Sequence, residues 1–295
     1  MTQKITKAVI AAAGYGTRFL PATKNQPKEM LPIIDKPIIH YLVEEAVNSG
    51  ITDIVLVTRS GQNALEDYFD SHRELEHELE KNGKTKRLEL IKKIPKMANF
   101  IYVRQKGDLP YGNATPLLSA VPVINKNESF VYMFGDDLTI SQTPVVKQLM
   151  DVFDKHNPKA VLGVQEVPKE DVHKYGTVRY KEKSDYAYEI EEACEKFPAE
   201  KAPSQMAAFG RFVFSYDVIE KALKTPLGKD NELWVIDILN SLAKEGHKII
   251  AQPIEGEWHT TGDPLNYLKT SFTFACNREE VKDELQKYLK EKLLS

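Results

Sequence analysis

Cysteine is nearly absent from this chain: Cys194 and Cys276 are the only two among 295 residues, and they form no CxxC pair. Two such thiols argue against a disulfide-stapled secreted scaffold, cannot build a zinc site alone, and suit a reducing cytoplasm. Long apolar runs are missing too; nothing approaches the roughly 18 residues of a membrane span. The start imitates a secretion signal, but the apolar run Ala8 to Ala13 is shorter than a usual signal core, and Gly14-Tyr15-Gly16 follows at once. No excess of one charge is present: 40 Lys and Arg stand against 43 Asp and Glu, a net charge of −3. That balance argues against nucleic acid as the main partner. Internal repeats and low-complexity linkers are lacking, so one domain over 1–295 is expected.

What is present is ordinary material for a large core, with 42% hydrophobic and 28% charged residues. KAVIAA (7–12), DIVLVT (53–58), FIYVRQ (100–105), FVYMFG (130–135) and AVLGVQ (160–165) read as short buried strands. Helical spacing follows Pro37 (Ile38, Ile39, Leu42, Ala46) and recurs over 143–156. Alternating strands and helices predict an α/β fold with a mixed, mostly parallel sheet flanked by helices. Residues 62–98 read as a charged helical excursion on the surface. After residue 165, YGTVRY and MAAFGRFVFS read as longer antiparallel strands, with helices over 232–246 and 263–277 and a charged helical tail.

The loop leaving the first strand concentrates chemistry. Gly14-Tyr15-Gly16-Thr17-Arg18 is followed by Lys24 and Lys28 among prolines. Glycines let backbone N–H groups approach an anion, while Arg supplies a bidentate fork and Lys a point charge. The stretch lacks the third glycine of the dinucleotide fingerprint and the Gly-Lys-Ser/Thr ending of a P-loop, so neither motif is met. A short glycine turn with two cations is a cradle for a triphosphate. A second concentration is Asp136-Asp137 at the end of FVYMFG; adjacent carboxylates there are costly unless a cation or substrate uses them.

AAAGYGTRFLPATKNQPKEMLPIIDKP resembles the signature of the sugar-1-phosphate nucleotidylyltransferases, and is most similar to that of the bacterial UTP–glucose-1-phosphate uridylyltransferases. The similarity continues through GITDIVLVT, VRQK, GDD, YGTV, EK and APSQMAAFGRFVFS. It implies a Rossmann-like nucleotide-diphospho-sugar transferase fold, with a nucleotide-binding half over about 1–165 and a sugar-phosphate half over about 166–295. It implies Mg²⁺-dependent conversion of UTP and glucose 1-phosphate to UDP-glucose and pyrophosphate, in a cytoplasmic homodimer or homotetramer. By the same resemblance, Ala12, Ala13 and Gly14 hold the base and ribose, and Thr17, Arg18 and Lys28 the triphosphate. Gln105 and Gly112 meet the uracil, and Asp136 binds Mg²⁺. Asp137, Gly176 and Glu195 meet the sugar, and Lys196 its phosphate.

Four departures from that pattern stand out. Thr260 occupies the position of the expected second metal aspartate; Asp263, a water, or weaker metal binding are the alternatives. The base loop reads Pro110-Tyr111-Gly112-Asn113-Ala114, with a glycine and a histidine fewer than expected. Phe197 follows Lys196, displacing a proline to Pro198. Trp234 falls within Glu232 to Asp237 and is read as core in preference to a sugar wall. These leave open another NTP or sugar phosphate, or a catalytically weak regulatory paralogue.

Overall fold

The computed structural model describes residues 4–293. The chain begins with β1 (Lys7–Ala11), a small hairpin of β2 (Pro32–Ile33) and β3 (Lys36–Pro37), α1 (Ile38–Asn48) and β4 (Asp53–Thr58). The charged excursion folds as α2 (Asn63–Tyr68), α3 (Arg73–Lys81) and α4 (Thr85–Lys93); α3 and α4 bury no side chain. There follow β5 (Asn99–Arg104), α5 (Thr115–Ser119), β6 (Phe130–Phe134), β7 (Asp137–Ile140), α6 (Val145–His156) and β8 (Ala160–Glu166). The second half comprises β9 (Gly176–Tyr180), β10 (Ile190–Glu195), β11 (Met206–Phe214), α7 (Asp217–Ala222) and α8 (Val235–Lys244). It closes with β12 (Ile249–Pro253), β13 (Glu257–Thr260), α9 (Pro264–Cys276) and α10 (Lys282–Leu293).

One nine-stranded mixed sheet takes strands from both halves, in the order β10-β9-β11-β6-β1-β4-β5, with β8 on β11 and β12 on β8. The strands β6, β1, β4 and β5 pair in parallel, whereas β11 runs antiparallel to all its neighbours. Alternation along the parallel strands feeds two cores. Val9, Val55, Val57 and Tyr132 face α5 and α8, while Ala8, Ile10, Ile54, Leu56 and Met133 face α1 and α6. Helix α1 exists for that second core. It buries Ile38, Ile39, Leu42, Val43 and Ala46, and the chain turns away at Gly50, φ 95°. Truncating fully buried Leu42 to Ala should cost about 2–5 kcal/mol. The strand expected from FIYVRQ forms, but as a sheet edge: Asn99, Tyr102 and Arg104 are exposed, while half-buried Phe100, Ile101 and Val103 pack against the cores.

The feature that makes room for a site is the path of β11. Ala207 and Ala208 pair with β9, whereas Arg211–Phe214 pair with β6, and the register to β8 slips between Ala208 and Phe212. The sheet therefore parts between β9 and β6, beside the carboxyl end of β6. A two-stranded ribbon of β7 and β13 covers the gap and sets Thr260 opposite Asp137.

Candidate active site

Two adjoining cavities open at the carboxyl ends of β1, β5 and β6. The larger, about 420 Å³, is walled by Ala13, Gly14, Lys28, Glu29, Gln105 and Gly112. The smaller, about 200 Å³, lies over the parted sheet and is walled by Asp137, Gly176, Glu195, Phe209, Trp258 and Thr260. Arg18, Asp136 and Lys196 are the charged residues that line both.

The glycine loop gains its shape from Gly16, whose backbone is left-handed at φ 62° and whose carbonyl accepts from the Thr23 hydroxyl at 2.7 Å. The turn that follows carries Arg18 outward, where its Nη1 donates to the Gly262 carbonyl at 3.3 Å. Lys28, on a single-turn helix after Pro27, reaches across and pairs with the Asp136 carboxylate. Burial alone would lower the Lys28 ammonium, but Asp136, Glu29 and Asp137 together reverse that and hold it above its ordinary value. Burial likewise opposes ionisation of Asp136, and the Lys28 charge in contact with it, helped by Arg18, keeps its carboxyl below the usual range. Both groups are thus charged.

The neighbouring carboxylate behaves differently. Asp137 is pushed up to about 6 by burial and by the charge of Asp136. Its Oδ1 accepts from the Trp258 indole at 2.8 Å and its Oδ2 from the Gly210 N–H at 2.9 Å, at the point where β11 parts from its neighbours. Beneath it the fully buried Arg211 forks onto Glu45 and donates to the Asp137 carbonyl at 2.7 Å. Glu195, at the end of β10, is pushed up to about 7, chiefly by burial; Lys196 Nζ stands 3.7 Å away.

Most residues named from the sequence meet at these walls, and three do not. Ala12 is wholly buried with its N–H committed to the Val57 carbonyl at 2.9 Å, so Ala11, Ala13 and Gly14 form that wall instead. Thr17 is exposed and lines neither cavity. Asp263 caps α9, its oxygens accepting from the N–H and the side-chain amide of Asn266 at 3.0 and 2.6 Å. The Asp-Pro step at 263–264 is itself a helix-start signal. Thr260 stays at the cavity wall, its hydroxyl accepting from the Gly262 N–H at 3.2 Å.

Sequence reasoning missed three walls. Glu29 is 1% exposed with Oε2 unpartnered, and is pushed up to about 7 by burial. Trp258 stacks on Phe209 at 5.2 Å while holding Asp137. Trp234, read as core, is indeed 7% exposed but lines both cavities. Glu29 adjoins Lys28 in the motif, and Trp258 lies two residues before Thr260; both signals were within reach.

Among the described residues no group of three or more His, Cys, Asp or Glu could hold a metal ion. A Mg²⁺ site here would be of the kind that uses one carboxylate, substrate phosphates and water, and the ionised Asp136 at the junction fits that donor set. Among the described residues no helix is long and apolar enough to cross a membrane.

A family profile described as Nucleotidyl transferase matches residues 7–275. The UTP–glucose-1-phosphate uridylyltransferase YngB of Bacillus subtilis is 42% identical over 291 residues, covering 99% of this chain and 96% of its own. The UTP–glucose-1-phosphate uridylyltransferase of Staphylococcus epidermidis is 40% identical over 289 residues, covering 98% and 99%. A crystal structure of UDP-glucose pyrophosphorylase complexed with UDP-glucose superposes with TM-score 0.81 at 37% identity, covering 93% of this chain and all of that one. The UTP-bound UGPase from Acinetobacter baumannii superposes with TM-score 0.86 at 30% identity, covering 98% and 99%.

Proposed function

The chain belongs to the nucleotidyl transferase family, among its UTP–glucose-1-phosphate uridylyltransferases, and we propose that it transfers UMP from UTP to glucose 1-phosphate, forming UDP-glucose and releasing pyrophosphate. The observation that carries this reading is the pair of joined cavities with Arg18, Asp136 and Lys196 common to both. A reaction that brings two phosphate-bearing substrates together needs its charges at the junction of their pockets.

The sugar phosphate has its second pKa near ~6, so at neutral pH its oxygen is already anionic and needs no general base. That oxygen attacks the α-phosphorus of UTP; the bond from the α-phosphorus to the β-phosphate oxygen breaks in line, and pyrophosphate leaves with the electron pair. The obstacle is repulsion between polyanions. In this reading Gln105, Gly112 and the Ala13–Gly14 backbone hold the nucleoside end. Glu29, almost wholly buried, backs the same wall beside Lys28. Arg18 and Lys28 neutralise the triphosphate, and Lys196 draws the sugar phosphate to the junction. Asp137, Glu195 and the Gly176 backbone bound the sugar, with Asp137 held in one orientation by Trp258 and Gly210. Asp136 would hold Mg²⁺, which when bound supplies further charge neutralisation on the phosphate oxygens.

Thr17 lies outside both cavities and takes no part in this account. We place the reaction in the cytoplasm, where the free Cys194 and Cys276 stay reduced. A homodimer or homotetramer is supported by the exposed apolar stripe Leu265, Leu268 and Phe272 along α9. The deciding assay offers purified protein, Mg²⁺ and a panel of NTPs and sugar 1-phosphates, and follows pyrophosphate release. UTP with glucose 1-phosphate should give the highest rate; silence across the panel would overturn the proposal.

A further inference from the structure

Lys196 and Trp234, which line both cavities, close a ring of contacts with Lys229. Lys196 follows β10 in a left-handed backbone conformation, φ 50°, and its ammonium lies 4.0 Å from the centre of the Trp234 ring. The Trp234 indole N–H donates to the Lys229 carbonyl at 2.9 Å, and the Lys229 ammonium donates back to the Lys196 carbonyl at 3.2 Å. Trp234 therefore faces Lys196 with its π surface while its polar edge is anchored elsewhere. The same segment is stitched to the base loop. Leu233 N–H donates to Tyr111 O at 2.7 Å, Ala114 N–H to Leu233 O at 3.1 Å, and Val235 N–H to the Asn113 side-chain oxygen at 2.8 Å.

An ammonium over an indole face is attracted without being hydrogen-bonded to it, so it is aimed while its three N–H donors stay available. The anionic neighbour of Lys196, Glu195, is 3.7 Å away and loses charge as its own burial raises its pKa. We infer that Trp234 is a positioning residue that aims Lys196 at the junction of the two cavities, ready to take the phosphate of the sugar substrate. It ties that aim to the loop bearing Gly112 in the nucleotide cavity. The inference rests on the uridylyl-transfer reading of the site. It assigns Trp234 a task beyond forming core, because a core side chain has no need to present its ring to a cavity lysine.

The test compares Trp234→Leu and Trp234→Phe with the unaltered protein in steady-state assays. The Leu variant loses the ring face and should raise KM for glucose 1-phosphate about fivefold while changing KM for UTP less than about twofold. The Phe variant keeps a ring face and should recover most of the loss. Equal rises in both KM values, or a Leu variant with an unchanged KM for glucose 1-phosphate, would overturn the inference.

A second measurement does not depend on the Leu variant folding. In a Trp258→Phe protein, Trp234 is the only tryptophan. Saturation with UDP-glucose, established by calorimetry, should change its emission as the phosphate draws on the Lys196 charge over the ring. Adding Lys196→Met should abolish that change at equal saturation. An emission that does not move, or a change that survives Lys196→Met, would again overturn it. An unaltered protein silent toward UTP and glucose 1-phosphate would instead bring down the uridylyl-transfer reading, and this inference with it.

Discussion

Lys28 and Asp136, 108 positions apart in sequence, form one ion pair at the wall where the two cavities meet. The contact joins the glycine-loop segment to the carboxyl end of β6 and keeps both side chains ionised. A cation already lies beside the carboxylate proposed to take a second one.

Asp136→Asn removes the charge with little change of volume. Turnover with UTP and glucose 1-phosphate should fall by about 100-fold or more, with the circular dichroism spectrum unchanged. A full rate would remove Asp136 from the chemistry. In the unaltered protein, a chelator should stop pyrophosphate release and added Mg²⁺ should restore it; release that continues in excess chelator would exclude a metal role.

Glu29 links pH to stability. Burial pushes its carboxyl up to about 7 from an ordinary 4.5. Between those values the unfolded chain gives up a proton that the folded protein keeps, so this group's contribution to stability falls as pH rises from about 4.5 to 7. Glu29→Gln should therefore melt higher than the unaltered protein at pH 8, by on the order of 1–3 kcal/mol, and the gain should vanish near pH 4.5. A gain that grew as the pH fell would contradict the assignment.

Arg211 and Glu45 test the support under the site. Arg211→Met leaves Glu45 buried without its cation and should lower stability by roughly 3–5 kcal/mol in urea unfolding. Pairing it with Glu45→Leu should return much of that loss, because the stranded charge is gone. Additive losses in the double variant would mean the two are not coupled.

Gly112 tests the base loop. A β-carbon there would stand 2.2 Å from the Leu233 carbonyl oxygen, on a backbone at φ 140°. Gly112→Ala should push the loop from the 233–235 segment and raise KM for UTP by about tenfold or more. An unchanged KM would detach this loop from nucleotide binding.

Much of the architecture was legible beforehand. Alternation of apolar side chains marked β1, β4 and β6, since a strand buried on both faces needs little else to be recognised. The glycine turn with Arg18 and Lys28, and the carboxylate pair ending β6, were local concentrations of charge that a core would reject. Edge or centre was not legible for β5, because apolar content is similar in both and strand order is a long-range outcome. Asp263 carried a second signal: the Asp-Pro step marks a helix start, and its carboxylate caps α9.

By itself the sequence determined the principal strands and helices, among them β1, β4, β6, β8, α1 and α6, and that charged groups gather after β1 and β6, because periodicity and turn chemistry act over a few residues. Tertiary structure alone decided that β11 parts the sheet, that Asp137 is held by Trp258 from 121 positions away, and that Trp234 faces Lys196. Those contacts depend on how distant strands register and pack, and burial then sets which carboxylates are charged. No window of neighbouring residues carries that information.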